Sequence, residues 1–80
     1  MKGKEAIREI MTNVGVTNAA MASRLNISPA ALWDRLNNKK NRDLSLTVLC
    51  QMANLLDYKV VIMPRTRKVP EDAYIIEGEI

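Results

Sequence analysis

The sequence predicts a mainly α-helical fold of four to five helices that ends in a C-terminal β-strand or hairpin. Apolar residues recur at intervals of three and four in four stretches before residue 57, as they do on the buried face of a helix. Hydroxyl residues precede three of these stretches, in the position of helix N-caps. The run 58–63 then changes to β-branched residues and stops at Pro64, which is typical of a strand.

The first helix is expected at Lys4–Asn13 and the second at about Asn18–Leu25. Gly15 follows the first helix, where a residue free to adopt a left-handed conformation commonly ends it. Thr17 is the expected N-cap of the second helix. The apolar residues of the first helix are Ala6, Ile7, Ile10, Met11 and Val14, and those of the second are Ala19, Met21, Ala22 and Leu25.

A tight turn at Asn26 separates the second helix from a third, expected at about Pro29–Asn37. Asn is the non-glycine residue that best tolerates the left-handed backbone such a turn requires. Ser28 supplies an N-cap hydroxyl, and the proline after it suits the first helical position. Leu32 and Leu36 lie about one helical turn apart and give the third helix its buried side.

A polar loop, residues 38–43, leads to a fourth helix that begins near Leu46 with Ser45 as its N-cap. We expect one domain over residues 1–64, which includes a terminal strand at about 58–64. Residues 65–80 follow as a loop and then either an acidic tail or a second strand. The core face of the fourth helix consists of Leu49, Met52, Ala53 and Leu56.

Charge is unevenly distributed along the chain. The net charge is +3, but residues 1–68 hold all 12 Lys and Arg against five acidic residues, a balance of +7. Residues 69–80 hold the other four acidic residues and no basic residue. A basic body suits a polyanionic partner, and the acidic tail should point away from that partner.

Composition excludes several classes of protein. One cysteine, Cys50, and no histidine leave no internal disulfide and no zinc site, so we expect neither a metal nor a cofactor. The sequence contains no nucleophile–base pair and no glycine-rich phosphate loop, so we do not expect an enzyme. No apolar run approaches the roughly 20 residues of a membrane span, and we expect a cytoplasmic protein without a membrane partner.

The segment Thr17–Asn38 resembles the helix-turn-helix of phage Cro and lambda-type repressors and of the small bacterial regulators and antitoxins similar to them. The family pattern is roughly T-Q-x-x-h-A-x-x-L-G-I-S-x-x-x-h-x-x-x-h-N-G, where h is apolar. Asn18, Asn26 and Asn38 replace its Gln and two Gly residues, and the last two asparagines tolerate a positive φ. The matching residues are Thr17, Met21, Ala22, Leu25, Ile27, Ser28, Leu32, Leu36 and Asn37.

The resemblance extends less sharply from about Ala6 to Pro64 and implies a lambda-repressor-like DNA-binding domain. It further implies a sequence-specific transcriptional regulator, most simply a homodimeric repressor on a palindromic operator in double-stranded DNA. The alternative function is an antitoxin or adaptor that binds a toxin or another partner protein. In that case the acidic tail is the contact, and DNA binding serves autoregulation.

The leading end and outer face of the third helix hold the candidate base-reading residues, because the first residues of a recognition helix lie nearest the base edges. Small apolar side chains offer contact to a thymine methyl, and a carboxylate can accept a hydrogen bond from cytosine N4. Helix propensity explains the alanines equally well, and pairing with a basic neighbour is the alternative for the carboxylate. The candidates are Pro29, Ala30, Ala31, Trp33 and Asp34.

Trp33 has three competing interpretations: packing over the edge of the core, contact with the DNA backbone, or contact with a partner protein. Tryptophan is usually well buried, so core packing is the default. Its position directly after Leu32 nevertheless places it beside the predicted DNA-facing stripe, and it therefore stays among the candidates.

Candidate phosphate contacts flank the third helix. The cations directly after it occupy the place where members of the family bind the DNA backbone, although a solvated run of charge is the alternative. Asn18 matches the family's phosphate-binding glutamine and lies at a helix N-terminus, which suits an anion. The full set is Thr17, Asn18, Ser28, Asn37, Lys39, Lys40 and Arg42.

The predicted strand carries a candidate dimer interface. Four consecutive apolar residues favour cover on both faces, and a lone strand exposes unpaired backbone groups. In HipB-like antitoxins, which the chain is similar to in this respect, such a strand pairs with its copy in a dimer. The alternative is an internal hairpin with residues 73–77. The interface residues are Val60, Val61, Ile62 and Met63.

Overall fold

The computed structural model describes residues 1–40 and 42–77. This part of the chain contains four α-helices: α1 (Gly3–Val14), α2 (Asn18–Leu25), α3 (Pro29–Asn37) and α4 (Leu46–Leu55). The mainly helical fold is therefore confirmed, and α2 and α3 have the predicted bounds. The first helix is one residue longer at each end than predicted.

Hydroxyl side chains cap three of these helices, as the sequence predicts. The oxygens of Thr17, Ser28 and Ser45 each accept a hydrogen bond from the backbone N–H three residues later, at 3.1, 3.1 and 3.3 Å. Each cap satisfies one of the N–H groups that a helix leaves unpaired in its first turn. Lys2 precedes α1 and offers no such acceptor. The Glu5 carboxylate accepts the Lys2 N–H at 3.2 Å, and the next two N–H groups are capped from elsewhere in the chain.

Left-handed residues end α1, α2 and α4. Gly15, Asn26 and Asp57 have φ values of 75°, 58° and 65°. In each case the next residue donates its N–H to the carbonyl five positions earlier, at 2.9, 3.0 and 2.8 Å, which is the hydrogen bond of a Schellman motif. These next residues are partly buried against the core, and they are Val16, Ile27 and Tyr58.

Asn38 behaves differently from the other turn asparagine. It tolerates a positive φ in principle, but it has φ −73° and ψ 115° and is extended. Its backbone N–H still bonds to the carbonyl of Asp34, at 2.9 Å. Helix α3 therefore ends without a left-handed residue, and the chain continues directly into the polar loop.

The core lies where the four helices meet. Helix α3 packs against α2 and α1, and α4 packs against the same two helices. Each helix contributes one large, fully buried side chain: Ile7, Met21, Leu32 and Met52. Two residues of the predicted apolar stripes are exceptions, because Val14, at the last position of α1, and Ala19, in α2, are exposed. The complete apolar core is Ala6, Ile7, Ile10, Met11, Met21, Ala22, Leu32, Leu36, Leu49, Met52, Ala53 and Leu56.

The predicted strand at 58–64 does not form within this chain. The described residues contain no β-strand and no β-bridge. The chain turns at Pro64 and at Pro70. The Pro64 carbonyl accepts the Arg67 N–H at 3.0 Å, and the Pro70 carbonyl accepts the Ala73 N–H at 3.1 Å. We call residues 59–73 the arm.

The residues after the arm pack on α1 rather than forming the alternative hairpin. The Tyr74 hydroxyl accepts a hydrogen bond from Asn13 at 2.8 Å, and its ring contacts Tyr58 edge to face, with centroids 6.1 Å apart. Met1 donates its amino group to the Ile75 carbonyl at 3.3 Å and accepts the Glu77 N–H at 3.1 Å. Residues 74–77 are therefore an ordered tail. No described helix has the length and apolar character to cross a membrane.

Candidate nucleic-acid interface

The outer face of α3 presents the predicted base-reading residues to solvent. Pro29, Ala30, Ala31, Trp33 and Asp34 are all exposed, while the opposite face of the helix is fixed in the core through Leu32 and Leu36. The face assigned from the spacing of the two leucines is therefore the solvent-facing one. Whether these residues contact bases stays a prediction.

Trp33 is 58% exposed, so its default interpretation as a core residue is wrong. Its neighbours along the helix face, Pro29 and Ala30, are short, and the indole therefore projects beyond them. Tryptophan is enriched at interfaces, so an exposed indole at this position suits contact with another molecule.

Asp34 already has a partner within the chain. One carboxylate oxygen accepts a hydrogen bond from the Asn38 side-chain amide at 2.9 Å, and the Asn38 oxygen in turn accepts the Lys40 N–H at 2.9 Å. These contacts link the exposed face of α3 to the start of the polar loop 38–43, which we call the basic loop after its cations Lys39, Lys40 and Arg42.

Asn18 ties the first turns of α2 and α3 together. Its half-buried side-chain amide donates to the Pro29 carbonyl oxygen at 2.9 Å. An amide nitrogen carries two hydrogens, so one donor remains for a phosphate. The predicted phosphate residue therefore also has a structural role that the sequence did not indicate.

Thr17 and Ser28 place donors at the N-termini of α2 and α3. Both residues are exposed, and both hydroxyl oxygens accept cap hydrogen bonds. Their own O–H protons are free to donate outward, because a hydroxyl can accept and donate at once. The positive end of each helix dipole adds to the attraction for an anion at these positions.

Asn37 bridges α3 and α1. Its amide nitrogen donates to the Trp33 carbonyl at 3.0 Å, and its oxygen accepts from the Arg8 guanidinium at 3.1 Å. Both polar groups of this predicted phosphate residue are therefore engaged within the fold. Arg8, which sequence reasoning missed, brings an exposed cation to the C-terminal end of α3. A lone Arg on the polar face of α1 gave no signal of this contact.

The basic loop after α3 exposes Lys39, Lys40 and Arg42. Its two ends are held by the first turn of α1. The Lys4 ammonium donates to the Asn38 carbonyl at 3.2 Å, and Lys4 itself is only 6% exposed. At the other end Asp43 caps the helix. Asn41, between these cations, lies outside the described residues.

Asp43 caps the first two residues of α1 from across the fold. Its carboxylate accepts the backbone N–H groups of Gly3 at 2.7 Å, Lys4 at 2.9 Å and Leu44 at 2.9 Å. Partial burial acts to raise the pKa of Asp43. The three hydrogen bonds and the charge of Lys4 outweigh it and hold that pKa below its ordinary value. Sequence reasoning missed this role because the capped helix lies about 40 residues away in the chain.

The candidate dimer residues lie on the arm, which follows α4 in the chain. Val61 is 63% exposed and Ile62 is 92% exposed, and Val60 and Met63 are exposed as well. No group of three or more metal-ligating side chains occurs among the described residues. No protein-family model matches the chain, and no curated protein or solved structure shows significant similarity to it.

Proposed function

We propose that the chain is a sequence-specific DNA-binding transcriptional regulator with a lambda-repressor-like fold, in which α3 is the recognition helix. One observation carries this proposal: a helix anchored by Leu32 and Leu36 exposes its whole outer face between two sets of polar groups, which are the candidate phosphate contacts. The hydroxyls of Thr17 and Ser28 lie before α3, and the basic loop lies after it. This arrangement suits a helix in a major groove.

The base-reading surface is mostly apolar. Ala30 and Ala31 leave room for close approach to the groove, where the thymine methyl is the apolar feature that distinguishes bases. The indole of Trp33 extends this apolar contact or rests on a sugar–phosphate edge. Asp34 disfavours nearby phosphates and accepts from cytosine N4, which restricts its position to the base edges.

The proposed regulator acts as a homodimer and represses by occupying its operator. Two copies of α3 related by a two-fold axis would contact two half-sites about one helical turn of DNA apart. The exposed apolar residues of the arm supply the surface that such a dimer would bury. We assign this activity to the cytoplasm.

The test is a titration of DNA obtained by selection from random duplexes. Trp33 is the single tryptophan of the chain and lies on the proposed interface, so its fluorescence reports binding directly. We expect a change on adding the selected duplex and an affinity that falls linearly in log K against log salt. Each neutralised phosphate contributes a slope of about −0.9.

Replacing the three loop cations distinguishes this interface from general charge attraction. The Lys39→Ala, Lys40→Ala, Arg42→Ala triple variant should weaken specific and non-specific binding together, because phosphate contacts carry no sequence information. The matched control removes three cations of the arm: Arg65, Arg67 and Lys68. Equal loss in both triple variants, or no DNA binding by the unmodified chain at low salt, would contradict the proposal.

The exposed arm favours a second candidate function, an antitoxin or adaptor that binds a partner protein. The four consecutive apolar residues Val60–Met63 are all exposed, and a contiguous exposed apolar patch is typical of a protein contact. The acidic tail would add charge complementarity to a basic partner. A toxin-like protein that copurifies with the unmodified chain, but not with an Ile62→Glu variant, would support this function.

A further inference from the structure

The basic loop is attached to α1 at both of its ends. Where α3 ends, the buried ammonium of Lys4 holds the Asn38 carbonyl at 3.2 Å. Where α4 approaches, the carboxylate of Asp43 holds the N–H groups of Gly3 and Lys4 at 2.7 and 2.9 Å. Lys4 therefore contributes to both attachments, through its side chain at one end and its backbone at the other.

These contacts fix the two ends of the loop, at Asn38 and Asp43. The first N–H groups of a helix need acceptors, and Lys2 supplies none, so releasing Asp43 would leave those N–H groups without their acceptor. Burying the Lys4 charge is costly unless its ammonium is hydrogen-bonded. Breaking either attachment carries a penalty, and the two ends of the loop consequently stay at a fixed separation.

We propose that Asp43 and Lys4 are positioning residues that hold Lys39, Lys40 and Arg42 against α3 for contact with the DNA backbone. This inference rests on the proposed function. Loop ends that are fixed before binding leave less conformational entropy to be lost on binding, so holding them raises affinity without any direct contact to DNA. The Asp43 carboxylate faces α1 and would not itself touch a phosphate.

The test is a double-mutant cycle measured on the full chain. Asp43→Ala should weaken binding of the selected duplex about tenfold and make the salt slope shallower by about 1 to 2, because fewer loop cations reach phosphates. In the triple variant that lacks the three loop cations, the same Asp43→Ala change should have no further effect on affinity. This non-additivity is the signature of action through the loop.

Two controls separate positioning from loss of stability. Ser45→Ala removes the cap of α4 and should lower the unfolding temperature without changing the affinity or the salt slope of the folded protein. Lys4→Met keeps the apolar stem, releases the Asn38 carbonyl and should reproduce the Asp43→Ala effect. If Asp43→Ala does not fold, Lys4→Met is the variant on which affinity and salt slope are measured. Circular dichroism checks the folding of each variant.

The outcomes are distinguishable. If Asp43→Ala and Lys4→Met keep the affinity and the salt slope of the unmodified chain, the positioning role is overturned while DNA binding stands. Equal effects of Asp43→Ala with and without the loop cations would overturn it as well. If the unmodified chain binds no duplex, the proposed function fails and the positioning role fails with it.

Discussion

The side-chain amide of Asn18 donates a hydrogen bond to the backbone carbonyl of Pro29 at 2.9 Å. The contact joins the first residue of α2 to the first residue of α3, so the N-termini of the two helices stay close together. Both N-termini attract anions through their dipoles and free N–H groups. A shift of one helix against the other would therefore change the geometry of the proposed phosphate contacts.

Asn18→Ala should lower the free energy of unfolding by about 1 kcal/mol, the usual net contribution of one hydrogen bond. DNA affinity should fall further than the stability loss explains, because the predicted phosphate donor is removed as well. Urea unfolding and the Trp33 fluorescence titration measure the two effects. Asn54→Ala, on an exposed position of α4, is the matched control. Equal stability of the two variants would argue against a structural role of the Asn18 contact.

The two faces of α3 should respond oppositely to substitution. Leu32→Ala and Leu36→Ala should each cost about 2–5 kcal/mol, because both side chains are buried and leave cavities. Ala30→Glu should abolish operator binding at nearly unchanged stability, since Ala30 is exposed and a carboxylate repels the DNA backbone. Thr47→Glu adds the same charge at an exposed position of α4 and should keep binding. Retained operator binding by Ala30→Glu would remove α3 from the interface.

Substitutions at the left-handed residues that end helices should change the stability of the fold. Asn26→Ala should destabilise the fold by about 1 kcal/mol. Alanine keeps the Cβ that is strained at φ 58° but lacks the polar side chain that lets asparagine tolerate this conformation. Asp57→Gly, at φ 65°, should stabilise it by about 0.5 kcal/mol, the difference between relieved strain and the greater chain entropy of glycine. Chemical denaturation of both variants checks the signs. A stabilising Asn26→Ala change would contradict the assigned turn.

The sequence predicts the helices well because their signals are local. A cap and the N–H that it binds lie three residues apart, as at Ser28, and a buried stripe repeats every turn, as at Leu32 and Leu36. The exposure of the α3 face follows from the same spacing. Asp57 was missed because a left-handed Asp is uncommon, and the turn there has no glycine to mark it.

Contacts between distant segments are beyond such local reasoning. Asp43 and Gly3 lie 40 residues apart, and neither residue type by itself indicates a helix cap across the fold. The predicted strand fails for a related reason: its composition favours extended backbone, but a strand exists only beside a partner, and one chain offers residues 60–63 none among the described residues. The hydrogen bond from the Arg8 guanidinium to the Asn37 side chain is likewise a contact between distant segments.

Asp43 makes the stability depend on pH in the acidic range. Its folded-state pKa lies below the ordinary value, so its stabilisation is fully present above about pH 4 to 5 and is lost as pH falls through the folded-state pKa. Asp43→Asn should therefore be less stable than the unmodified chain near pH 6, with the difference shrinking near pH 2. Urea unfolding at both pH values measures it. The other carboxylates are common to both proteins, and a difference independent of pH would contradict this role.

The exposed apolar residues of the arm lead us to expect a homodimer. If Val60–Met63 pairs with its copy across a two-fold axis, the full chain should sediment as a dimer at tens of micromolar. Ile62→Glu should then give a folded monomer, because a charge would be buried in the interface. Leu46→Glu makes the same change at an exposed aliphatic residue of α4 and should remain dimeric. Val61→Pro removes a backbone donor and should also dissociate a paired strand. A full chain that sediments as a folded monomer at this concentration would exclude the dimer, and an unchanged Ile62→Glu dimer would place the interface outside the arm.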